Sequence, residues 1–173
     1  MTTEFPGFPS ASRIWIHVAD RPLDDRQARE LKEGMDRFAE TWTSHARPVR
    51  GAVSLVDRRI LVLVADVVDG DLSGCGIDKA SRRLDRVASA LGFSWLGALK
   101  VVYRDDEGTL TAVARSEFRS ASAAGTISAE TLVVDPTLTT LGEFRDGRME
   151  RRAGDSWHAR LLAPSDTHTL RTT

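Results

Sequence analysis

Seven consecutive residues, Ser73-Gly74-Cys75-Gly76-Ile77-Asp78-Lys79, bring a cysteine, two glycines, a serine and a charged pair to the start of a stretch with helical periodicity. Helix starts present unpaired N–H groups and a partial positive charge. Glycine lets backbone approach a ligand closely. Such a place suits a phosphate or a carboxylate. The same field favours thiolate over thiol, which would make Cys75 a nucleophile. Lys79 and Arg82, about one turn apart, add positive charge to both effects. The expected ligand-binding set is Ser73, Gly74, Gly76, Asp78, Lys79 and Arg82, and the expected ligand is a small anion. The plainer alternative is that both glycines merely shape a tight loop and Cys75 is a small buried hydrophobe. The spacing from Cys75 to Arg82 is one residue too long for a cysteine-dependent phosphatase loop.

Four histidines could assist a thiol: His17, His45, His158 and His168. The first three stand beside tryptophan, in Trp15-Ile16-His17, Trp42-Thr43-Ser44-His45 and Trp157-His158. If these segments meet, His17, His45 and His158 would supply a base to Cys75, giving the catalytic set, or join it around a metal. The alternative is that the tryptophans are core residues and the histidines bond locally. No H-E-x-x-H pair occurs, so no metal or cofactor is assigned. His168 lies in the polar tail and receives no role. Trp15 and His17 also suggest base stacking on an open sheet face, as in ferredoxin-like RNA-binding domains. The purely aliphatic run 60–64 and the near-neutral charge argue against nucleic acid.

The elements that must position these groups follow from patterning. Of 173 residues 41 % are hydrophobic, enough for a core. Lys plus Arg number 24 against 25 Asp plus Glu, so no general pull toward nucleic acid or anionic membrane is expected. Arginines do cluster at Arg82, Arg83 and Arg86, and at Arg145, Arg148, Arg151 and Arg152. No apolar run is long enough to span a membrane and no signal peptide is visible. A lone cysteine fits a reducing, cytoplasmic setting. Alternation predicts strands at 13–19, 51–56, 60–65 and 99–103. Asp24 with Gln27 reads as a capping box, and Ala28, Leu31, Met35, Phe38 and Trp42 as the buried stripe of the helix that follows. Ile77, Ala80, Leu84, Val87, Ala88 and Leu91 give the second helix its buried face, and Gly92 ends it.

The order predicts an α+β protein with a ferredoxin-like βαββαβ core over 13–104. An irregular lead-in, 1–12, precedes it. A smaller C-terminal α/β extension, 105–162, packs on it, and a flexible tail, 163–173, follows. Both helices would lie on one sheet face, with Trp15 and His17 on the other. The extension looks too poor in large apolar residues for a strong core of its own.

Segments 13–17, 42–45, 73–79 and 156–160, with Thr139-Thr140-Leu141-Gly142-Glu143 between the last two, resemble an uncharacterised bacterial protein family whose members often carry the label "ABC transporter ATPase". The resemblance spans about residues 10–162 and is most specific around Cys75. It implies a self-contained bacterial protein but no reaction. Leu72-Ser73-Gly74-Cys75-Gly76 is similar to the signature of those ATPases, yet no G-x-x-x-x-G-K-[ST] loop occurs, so ATPase activity is not expected. Two functional readings remain. One is an anion site at the Cys75 loop, with or without thiol catalysis. The other is a non-enzymatic module meeting protein or RNA through the sheet face and the arginine-rich segment.

Overall fold

The computed structural model describes residues 4–66 and 72–164. His168, nearly all of the expected tail and the middle of the loop after residue 66 lie outside the described residues. In chain order the elements are β1 (Arg13–Val18), α1 (Asp25–Thr41), β2 (Thr43–Ser44), β3 (Arg47–Pro48), β4 (Arg50–Val56), β5 (Ile60–Asp66), α2 (Gly74–Leu91), β6 (Lys100–Arg104), β7 (Leu110–Ala114), α3 (Arg115–Ala123), β8 (Leu132–Val134), α4 (Leu141–Arg145) and β9 (Glu150–Arg152). The protein is therefore α+β, with antiparallel sheets. It divides into two compact units, residues 1–97 with 135–149 and residues 98–134 with 150–173. Among the described residues no helix is long and apolar enough to cross a membrane.

In the first unit β5 lies between β1 and β4 in a three-stranded antiparallel sheet. Its run Ile60-Leu61-Val62-Leu63-Val64 is buried throughout, as a central strand covered on both faces requires. The β4–β5 hairpin turns through Asp57 and Arg58, both at φ 51°, the left-handed geometry that matches strand twist. Asp24 caps α1, accepting from the Gln27 N–H at 2.7 Å, while Gln27 accepts from the Asp24 N–H at 3.1 Å. Gly92, at φ 72°, ends α2 in the left-handed conformation. Leu23, Leu31, Met35, Trp42, Leu63 and Leu84 are buried together between the helices and the sheet.

Two expectations about this sheet are corrected. The strand expected at 99–103 forms, as β6, but pairs with β7 and β8 in the other unit. Among the described residues the free edge of β1 carries only isolated rungs, Arg13 to Thr140 at one end and Ala19 to Trp95 at the other, with the Leu96 N–H donating to the Val18 carbonyl at 2.8 Å. Trp15 and His17 also face the other way. Trp15 packs edge-on to Trp42 at 6.4 Å, and both line a cavity with Ile77, Ala80 and Leu84 of α2. On the helix side Trp15 meets Trp42 and His17 meets Trp95, 5.5 Å away. Ile14, Ile16 and Val18 take the opposite face and are buried too.

The lead-in and the 138–149 segment carry further buried apolar residues of this unit, including Phe5, Phe8, Leu141 and Phe144. Phe5 sits 6.3 Å from Phe144. The Ile14 N–H donates to the Thr139 carbonyl at 3.0 Å, and the Leu141 N–H to the Ser12 carbonyl at 2.9 Å. These bonds stitch residues far apart in sequence onto the start of β1.

The second unit is a four-stranded sheet ordered β7-β6-β8-β9 with α3. Contrary to expectation it has its own core: Val101, Phe118, Ile127, Val133, Ala153 and Leu161 are buried together. Five of these six lie within 105–162 itself, and β6 adds Val101.

Candidate functional site

The start of α2 is fastened from three sides. Ser73 is its N-cap, accepting from the Gly76 N–H at 3.3 Å. The Ser73 and Ser44 hydroxyls are 2.7 Å apart, and the Ser73 N–H donates to the Ser44 hydroxyl at 3.2 Å. The buried Trp42 indole donates to the Gly76 carbonyl at 2.9 Å. A Cβ on Gly76 would lie 2.9 Å from the Ser44 Cβ and 2.8 Å from a Leu72 methyl. Ser73 and Gly76, expected to bind ligand, thus hold α2 against the β2–β3 hairpin and the end of α1. Gly74 borders open space, and Cys75 is exposed.

Beyond that knot the outer faces of α1 and α2 enclose an open groove of about 710 Å³. Five cations line it: Arg37 from α1 and Lys79, Arg82, Arg83 and Arg86 from α2, with Cys75 at one end. Phe38 and Thr41 complete the wall, and no carboxylate belongs to the lining. At ~100° per residue the five α2 positions from Cys75 to Arg86 fall on one side of the helix, opposite Ile77, Ala80 and Leu84. Lys79 donates through Nζ to the Thr43 carbonyl and hydroxyl, each at 3.1 Å. Arg83 donates to the Gly34 carbonyl at 3.1 Å. Neither of these bonds is to a carboxylate. Asp78, expected as a ligand residue, instead pairs with Arg82 along the exposed helix face, and Glu33 stands 3.9 Å from Arg37. Arg86 has no carboxylate partner among the described residues.

The histidines do not join this arrangement. His17 lines the small cavity on the sheet side of α2, 5.5 Å from Trp95, whereas Cys75 is on the groove side. Burial pushes the His17 imidazole below its ordinary range, and Asp85 opposes that shift. His45 is exposed in the β2–β3 turn at φ 49°. His158 belongs to the second unit, where it is buried, stacked 3.8 Å from Trp157 and bonded through Nδ1 to the Ser156 hydroxyl at 2.9 Å. Among the described residues Cys75 has no hydrogen bond, so the expected Cys–His pair is not formed. Among the described residues, no three His, Cys, Asp or Glu side chains gather as metal ligands would.

Of the expected site residues, the structure gathers Cys75, Lys79 and Arg82 in one groove. Arg83 and Arg86 join them, legible in the sequence only as charge, as do Phe38, expected in the buried stripe of α1, and Arg37 and Thr41, for which no expectation was stated. The three-and-four spacing from Cys75 to Arg86 marks that stripe on α2. The α1 residues become legible only once the register between the helices is known. No protein-family model, curated protein or solved structure matches the chain.

Proposed function

We propose that the α1–α2 groove binds an anionic ligand. The observation that carries this reading is its lining: five cationic side chains and no carboxylate around one concave surface. Arg82 and Arg37 already face Asp78 and Glu33 on the helix surfaces, so the repulsion that an anion relieves is chiefly that among Lys79, Arg83 and Arg86. Titration calorimetry with orthophosphate at low ionic strength tests it. Lys79→Ala and Arg86→Ala should each weaken binding about tenfold, the size of a lost charge-assisted contact. Binding indifferent to both would remove the reading.

Thiol chemistry is a second reading, favoured by the exposure of Cys75 at the end of this groove. It needs a base from the ligand or from water, since no histidine bonds to the thiol among the described residues. Alkylation of Cys75 at neutral pH no faster than that of a free thiol would end it. The RNA-stacking version of the interaction reading loses support, because Trp15 packs beneath the helices. We read residues 13–97 as a ferredoxin-like arrangement whose last strand is reduced to the Ala19–Trp95 rung. The resemblance to the bacterial family around Cys75 adds no reaction to this picture.

A further inference from the structure

Resting on the anion-binding reading, we infer that the groove takes an extended oligophosphate, a chain of two or more phosphoryl groups, and not a single small anion. The reason is where its cations are held. Lys79 is fixed at Thr43 and Arg83 at Gly34. Gly34 lies seven residues before the end of α1 at Thr41, roughly 10 Å at 1.5 Å per residue, and Thr43 is two non-helical residues further on. Arg86 extends the row by almost another turn of α2. One orthophosphate reaches donors only about 8 Å apart, two hydrogen-bond lengths plus its own width. It therefore satisfies one end of the groove and leaves the other charged.

The volume narrows the class further. About 710 Å³ suits a small molecule. A polypeptide would fill that space largely with neutral backbone, whereas a phosphoryl chain packs its charges closely. The planar guanidinium fork of Arg86, which has no carboxylate partner among the described residues, matches phosphate oxygens in pairs, and Arg83 has donors left beyond its bond to Gly34.

The test is calorimetry on the full chain at constant ionic strength, with orthophosphate, tripolyphosphate and ATP as probes. A thymidine oligonucleotide and a glutamate oligopeptide of matched charge serve as competitors. Tripolyphosphate should bind at least tenfold more tightly than orthophosphate. Lys79→Ala and Arg86→Ala should each erase most of that difference, and Arg86→Lys should restore part of it. Equal affinity for ATP and tripolyphosphate would assign recognition to the phosphoryl chain alone; tighter ATP would assign it to a nucleotide. Both outcomes support the inference. If orthophosphate binds as tightly as tripolyphosphate, and both still need Lys79, the groove stands as an anion site and the oligophosphate is overturned. If the oligonucleotide or the glutamate peptide binds more tightly than tripolyphosphate, the ligand class is overturned. If no probe binds, both readings fall.

Discussion

Gly74 and Gly76 look alike in sequence and do opposite things. Gly76 is where Ser44, Leu72 and the Trp42 indole close on the backbone. Gly76→Ala should destabilise the protein by about 1–3 kcal/mol, the usual range for overpacking a filled site. Gly74 opens α2 against empty space. Gly74→Ala should stabilise by about 0.5 kcal/mol through reduced chain entropy, with orthophosphate affinity unchanged. Urea unfolding of the two variants checks both signs. His17 makes a third residue-scale prediction. Burial lowers its imidazole below the ordinary range, with Asp85 opposing. Above about pH 6.5 folded and unfolded forms are both neutral, so this residue adds no pH dependence. Below it the unfolded chain takes up a proton that the folded one resists, so stability falls. Replacing His17 with leucine should flatten the stability curve just below about pH 6.5; an unchanged slope would contradict this.

Among the elements, α1 and α2 are tied at both ends and the middle by side chains reaching backbone carbonyls. Gln27 donates to the Leu91 carbonyl at 2.8 Å, Arg83 to Gly34, and Trp42 to Gly76. These bonds set the helix register and hence the width of the groove. Gln27→Ala removes a capping partner and leaves the Leu91 carbonyl unpaired. It should lower stability by about 1–2 kcal/mol in chemical denaturation. Glu143 has a comparable place at the start of α4. The Thr139 N–H holds its carboxyl below the ordinary carboxylate range, followed by the Thr140 hydroxyl and N–H. Its contribution is present above the unfolded carboxylate value and disappears as pH falls through the lower folded one. Glu143→Gln should therefore reduce the acid sensitivity of the native state in that range, read by circular dichroism. The Asp24–Gln27 capping box was legible because its partners are three residues apart. The fate of β6 was not, because alternation marks a strand without naming its neighbours. The facing of Trp15 was lost for the same reason: period two divides the faces, and only the tertiary partner decides which is which.

Across the whole molecule the charges nearly cancel, with a net of −1, yet five cations converge on one groove. Total composition hid this, since patch charge depends on which helix faces are adjacent. Binding there should weaken several-fold between about 0.1 M and about 1 M salt, as the Debye length shrinks from about 10 Å to about 3 Å. Salt-independent binding would point to an uncharged contact. The interleaving of the two units also escaped the sequence, which offered consecutive blocks. It bears on how the chain is made. Synthesis supplies β1 through α2 by residue 91, but residues 135–149 of the same unit arrive only after β6, β7 and β8. At about 5–20 residues per second the first unit waits several seconds for its last piece. During that interval the Ile14 amide lacks the Thr139 carbonyl and Phe5 lacks Phe144. The nascent protein is thus most exposed to chaperones and to aggregation just when its basic groove can first assemble.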